Sequence, residues 1–175
     1  MKILLGVLLA ALALTAAASA APDGFRESAR LTPIASGVTG RPVTVWCART
    51  PAIWRDTVVP LYPGQRWATL NGYAMVNEPA TYLAPWVCQT LEGWLRGKSA
   101  PTPEVLGRRL LTLVHEAIHL RGILDEGVTD CTALSLVPGV ARASFRIRSA
   151  KVLHAVVRAA QDEHNESPVK FRGSC

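Results

Sequence analysis

Leu113-Val114-His115-Glu116-Ala117-Ile118-His119-Leu120-Arg121-Gly122-Ile123-Leu124-Asp125-Glu126 holds two histidines four residues apart, with a glutamate directly after the first. On a helix, residues four apart stand one turn above one another on the same face. Two imidazole nitrogens so placed can meet one tetrahedral metal ion, and Glu116 lies where a carboxylate can act on water at that ion. His115 and His119 are therefore candidate metal ligands, and Glu116 is the candidate catalytic base.

The flanking residues place this stretch on a buried helix. Thr102 can cap and Pro103 can take the first turn, and Leu106, Leu110, Leu111, Leu113, Val114 and Ile118 follow with helical spacing up to a stop at Gly122. A preceding helix opens at Leu83-Ala84-Pro85, runs through Trp86, Cys88, Leu91 and Leu95, and closes at Gly97 to Pro101. After the motif, Asp125 can cap a helix that ends at Pro138-Gly139, and another spans about Arg142 to Asp162. Upstream, Pro42 to Cys47 alternates like a strand. Trp67 to Val76 forms a second strand region, broken by the turn signal Asn71-Gly72, with Gly72 to Val76 its stronger part and Asn77-Glu78-Pro79 its end. Pro51 to Arg66 reads as a loop with short extended pieces, and the tail from Ser167 to Cys175 as irregular. The expected fold class is α+β, mostly helical, with a small sheet before the motif helix.

Met1-Lys2, an apolar run from Ile3 to Ala17 and the A-x-A triplet Ala18-Ser19-Ala20 form a secretory signal peptide over residues 1–20. Residues 21–41, rich in Pro and Gly, read as a leader or linker with a helical turn near Phe25 to Leu31, and residues 42–175 as one domain. Four cysteines remain in an exported context: Cys47, Cys88, Cys131 and Cys175. Their even number predicts two disulfides, with three pairings open, and no C-x-x-C pair suggests a cysteine metal site. Cys175 is expected to pin the tail to the body.

Without Lys2 the chain has 18 basic and 13 acidic residues, a net charge of +5. The basic residues are scattered, apart from Arg142, Arg146, Arg148 and Lys151, which suit a solvated helix face or contact with an anionic envelope. No nucleic-acid motif occurs. Trp46, Trp54, Trp67, Trp86 and Trp94 read as core residues rather than a sugar platform.

Two carboxylates compete to complete the metal site. With Asp125 the run reads H-E-x-x-H-x-x-G-x-x-D, which resembles the metzincin signature with Asp for its last His; the metzincin Met-turn has no counterpart, since the only methionines are Met1 and Met75. Glu126-Gly127-Val128-Thr129-Asp130 resembles the gluzincin arrangement, across a shorter gap from His119 than in better-known gluzincins. In that arrangement a Glu on the following helix binds zinc, and an Asp one turn later holds a ligand His by its other nitrogen. Glu126 is the favoured third ligand and Asp125 the alternative.

The chain thus resembles small secreted zincin-like (HExxH) metallopeptidases of compact gluzincin type, over Leu113 to Asp130. The resemblance implies Zn2+ as cofactor and a peptide or protein as substrate. The chain is expected to be a monomer, with no nucleic-acid partner and no stable membrane span after signal cleavage. Glu116 would take a proton from water and pass it to the leaving amine. His154, Tyr73 and Tyr82 are the candidate oxyanion donors, and Gly72 to Val76 could take a peptide by strand addition. Two other functions fit the same residues. One is a non-catalytic exported zinc-binding or interaction domain, closed by four ligands drawn from His115, His119, Glu126 and either Asp125 or Asp130. The other is a zinc amidase acting on cell-envelope peptides.

Overall fold

Helix α4 (Pro103–His119), which carries the motif, packs against four other helices and the sheet. Its start follows from local chemistry: Pro103 needs no amide partner in the first turn, and the Thr102 hydroxyl accepts the Val105 N–H. Its apolar face, including Leu106, Leu110, Leu113 and Val114, is fully buried.

The computed structural model describes residues 21–75, 78–97, 101–167 and 175. The expected signal peptide of residues 1–20, the expected strand end at Val76-Asn77, the expected helix stop at 98–100 and tail residues 168–174 lie outside the described residues.

The elements run β1 (Phe25–Glu27), α1 (Thr32–Thr39), β2 (Thr44–Ala48), α2 (Pro51–Leu61), a short 3-10 turn (Trp67–Thr69), β3 (Gly72–Met75), β4 (Ala80–Leu83), α3 (Pro85–Leu95), α4, α5 (Glu126–Ala143) and α6 (Ala150–Glu166). This is an α+β fold. The four strands lie in the order β1-β2-β4-β3, with β2 and β4 parallel and both outer strands antiparallel to their neighbours. β3 is therefore an edge strand, and it lies against α4.

Both expected disulfides are present. Cys47–Cys88 ties β2 to α3, and Cys131–Cys175 ties α5 to the tail. Among the described residues no helix is long and apolar enough to cross a membrane. Two disulfides suit an oxidising, extracytoplasmic compartment.

Several boundaries differ from the sequence expectation. The supposed linker is part of the body: β1 pairs with β2, Phe25 and Leu31 are buried, and Arg26 and Ser28 hydrogen-bond the buried Glu92 of α3. A strand of three residues has no periodicity to read, and its stability comes from its partner. The supposed loop at 51–66 begins with α2, where Thr50 caps Ile53 and Pro51 opens the helix, as Thr102-Pro103 do in α4. β4 precedes α3 as a strand buried on both faces. α5 continues past Pro138 to Ala143, with Val137 and Ala141 buried along its length. α6 starts only at Ala150, behind a Ser149 cap. Phe145 and Ile147 are buried alternately in the connector, which is not helical.

Trp54 is fully buried and Trp46 nearly so, and the indoles of Trp54, Trp86 and Trp94 donate to Leu70, Asn71 and Phe145. They are structural, as expected. Arg142, Arg146, Arg148 and Lys151 are exposed, spread over the end of α5, the connector and the start of α6.

Candidate metal centre

His115 and His119 stand one turn apart at the end of α4. Beyond them Gly122 takes a left-handed backbone (φ 89°), which reverses the chain. Asp125 then caps α5, its carboxylate accepting the Val128 N–H at 2.8 Å. This turn brings Glu126, the first residue of α5, back over the histidines. Glu126 Oε2 lies 3.1 Å from His115 Nε2 and 3.3 Å from His119 Nε2, and the two Nε2 atoms are 3.1 Å apart.

The acceptors behind each ring assign its tautomer. Asp130 Oδ1 faces His115 Nδ1 at 3.0 Å, and the Ile123 carbonyl faces His119 Nδ1 at 2.8 Å. Carboxylates and carbonyls only accept, so both Nδ1 atoms carry hydrogen, which leaves each Nε2 as the nitrogen that could bind an ion at the shared point once deprotonated. Two imidazole nitrogens and a carboxylate oxygen facing one another so closely could hold a cation between them. A tetrahedral ion with bonds of about 2.0–2.1 Å, the zinc–nitrogen length, spaces its ligand atoms about 3.3–3.4 Å apart. The observed triangle is within a few tenths of an ångström of that. Among the described residues, His115, His119 and Glu126 are the group that could hold a metal ion.

Proton affinities report the same field. Burial opposes charge on His115, but the hydrogen bonds of Asp130 and Glu126 outweigh it and lift the imidazole to about 10. Burial likewise opposes charge on Glu126, yet the two histidines hold its carboxyl down at about 2. Glu116 lies beside the triangle, and burial raises its carboxyl above the ordinary carboxylate range while the histidines oppose that rise. It sits against Gly72 of β3, where a Cβ would lie 2.8 Å from Glu116 Cγ.

A cleft of about 230 Å³ opens onto these groups, walled by Gly72, Tyr73 and Ala74 of β3, by Tyr62 and by Leu124. A larger, shallower depression of about 770 Å³ lies elsewhere, around Trp94, Arg30, Arg96 and Arg146, and holds no metal-ligating group. The chemistry therefore belongs to the smaller cleft.

Of the residues singled out from sequence, His115, Glu116, His119, Glu126 and Asp130 come together. Asp125 does not join them, because its carboxylate is spent on capping α5. His154 is exposed on α6 and does not line the cleft. The Tyr82 hydroxyl donates to Glu78 at 2.9 Å, away from the cleft, whereas Tyr73 forms part of its wall. Tyr62 was not foreseen. It follows α2, is half-buried in the cleft, and has its phenol raised by burial and by the charges of Glu116 and Glu126. His164 was also not foreseen: its Nδ1 faces the second oxygen of Asp130 at 2.5 Å. No local signal marks it, since the two residues are 34 positions apart.

Compared with protein-family models, with curated proteins and with solved structures, the chain matches none.

Proposed function

We propose that the chain is a secreted zinc-dependent peptidase in which Glu116 is the general base. The observation that carries this is the triangle of His115, His119 and Glu126 with Glu116 beside it at the floor of the cleft. Among the described residues three donors would hold the ion, which would leave a fourth position for water or substrate, as in catalytic zinc sites and unlike closed structural ones. This favours a catalyst over the non-catalytic zinc-binding domain. The signal-like first twenty residues and the two disulfides support export.

Zinc held by the three donors would supply a Lewis acid and lower the pKa of water in the site toward neutrality. Glu116 takes the proton from the attacking water and delivers it to the leaving nitrogen. Its burial raises its basicity for that task. Asp130 holds the His115 ring in the tautomer that ligation requires. Tyr62 is placed to donate its hydroxyl to the oxyanion that develops at the attacked carbonyl.

The peptide nature of the substrate is supported by β3. Asn71 O accepts the Ala84 N–H, and antiparallel bonding alternates along the ladder. The backbone groups of Tyr73 therefore face β4, while those of Gly72 and Ala74 face outward at the sheet edge. An extended peptide can pair with that edge and bring a carbonyl beside Glu116. An amide within a cell-envelope peptide fits the same chemistry.

The test is metal analysis with a single substitution. Purified protein is expected to hold one zinc per chain and to cleave unstructured peptides, and Glu116→Gln to keep the zinc and lose hydrolysis. Folded protein without stoichiometric zinc, or unchanged turnover in Glu116→Gln, overturns the proposal.

A further inference from the structure

Asp130 is a buried carboxylate shared by two imidazoles. Its Oδ1 accepts from His115 Nδ1 at 3.0 Å and its Oδ2 from His164 Nδ1 at 2.5 Å. His164 is itself only 4 % exposed, although it lies in the polar run Asp162-Glu163-His164-Asn165-Glu166 at the end of α6. Resting on the metal-centre reading above, we infer that His164 is a positioning residue for the metal centre. It fixes the Asp130 carboxylate, and through it the ring of His115.

The physical reason is rotational. A carboxylate held at one oxygen can still turn about its side-chain torsions and exchange oxygens. Held at both, it has one plane and one position. The His115 Nδ1–H bond is then made in one geometry, which keeps the proton off Nε2 where the ion must bind. Without His164, Oδ2 would be buried with no donor, and Asp130 would have to turn to find one.

The fold secures His164 from two further sides. Arg108 of α4 reaches across to Glu163 and Glu166, the neighbours of His164, with its closest contacts at 2.5 and 2.7 Å. Behind the ring, His164 Nε2 lies 3.6 Å from Cys175 Sγ of the disulfide to Cys131, the residue directly after Asp130. Thus α4 holds the residues flanking His164, while Asp130 of α5 and the Cys131–Cys175 disulfide lie on the two sides of its ring.

The experiment measures zinc affinity of the full oxidised chain by competition with a chromophoric chelator, alongside the visible spectrum of the Co2+-substituted protein. His164→Ala is expected to weaken zinc binding by about 10–100-fold and to change the Co2+ spectrum. His164→Asn, whose amide N–H falls near the Nδ1 position, is expected to recover most of the affinity. His164→Gln, which fills the space but places its amide toward the disulfide, is expected to recover little. If the Ala variant does not fold, the Asn–Gln contrast decides. Wild-type affinity in both Asn and Gln variants, or in a folded Ala variant, overturns the inference. So does an Asn variant as weak as Gln, which would leave His164 a packing residue. Absence of zinc binding by the wild-type chain would instead overturn the metal-centre reading, and this inference with it.

Discussion

Gly72→Ala tests whether the backbone of β3 sets the position of Glu116, the proposed catalytic base. A Cβ at residue 72 would lie 2.8 Å from Glu116 Cγ, 3.1 Å from Glu116 Oε1 and 3.0 Å from Leu83 Cδ2. Carbon atoms in contact prefer about 3.5–4.0 Å, so the new methyl demands roughly 0.7–1.2 Å of movement. Leu83 is paired with Gly72 across the sheet and blocks retreat on that side, so Glu116 must yield. Displacement of a catalytic group by about 1 Å costs on the order of 100-fold in rate. Crowding should also cost about 1–3 kcal/mol of stability, offset by about 0.4–1 kcal/mol from the stiffer unfolded chain. The assay combines kcat on a quenched fluorescent peptide, zinc content and thermal unfolding. The expected result is kcat lower by 10- to 100-fold, zinc still stoichiometric because Glu116 is not a ligand, and Tm lower by a few degrees. Gly139→Ala is the control, since nothing lies within 4 Å of its Cβ position and alanine suits a helix interior. Turnover of G72A at the wild-type rate would refute the reasoning, because the methyl would then be accommodated without moving the base.

Glu126→Ala is expected to abolish stoichiometric zinc binding, while Asp125→Ala keeps the zinc and loses about 1 kcal/mol of stability with the helix cap, as metal titration and denaturant unfolding will show. Tyr62→Phe should lower kcat by about 10–100-fold with little change in KM, and Tyr82→Phe should leave kcat unchanged, because the Tyr82 hydroxyl is engaged by Glu78. Burial alone would raise the Glu92 carboxyl, but hydrogen bonds from Arg26, Ser28 and Arg96 bring it from 4.5 to about 2. A folded-state value below the unfolded one stabilises fully above about pH 4.5, and that stability is lost as pH falls toward 2. Linkage sets an upper limit of about 3 kcal/mol, reduced to about 1–2 kcal/mol because the Arg26 and Arg96 side chains are 37 % and 39 % exposed. Glu92→Gln should therefore flatten the fall in denaturant midpoint between pH 5 and 2, and an unchanged slope would remove Glu92 from the account.

What can be read from the sequence is what local chemistry decides. The α4 helix is legible because Thr102-Pro103 starts it, apolar spacing carries it and Gly122 turns it. The metal triangle is legible because its members lie within twelve residues. The same Thr-Pro start is present at Thr50-Pro51, but Pro60 and Pro63 draw the reading toward a loop. Tertiary burial overrides local preference at Pro138, where α5 runs on because Val137 and Ala141 face the core. β1, Tyr62 and His164 leave no local trace. β1 is a strand only because β2 is there to pair with it, Tyr62 joins the site only through the placement of α2, and His164 reaches Asp130 only through the packing of α6 on α4 and α5.

The junction of α4 and α5 also explains why Glu126 rather than Asp125 completes the triangle. A helix N-terminus offers unpaired amides and a partial positive charge, and a C-terminus offers the reverse. His119 lies in the last turn of α4, where a cation is favoured, and Glu126 in the first turn of α5, where a carboxylate is favoured. Asp125, one residue earlier, stands at the cap position, where a short side chain bends back onto the Val128 amide. The longer Glu126 side chain leaves the helix at its first full position and projects over the histidines. Exchanging the two residues would thus do more than swap acids of different length: it would place a longer, poorer cap before α5 and a carboxylate too short to close the triangle.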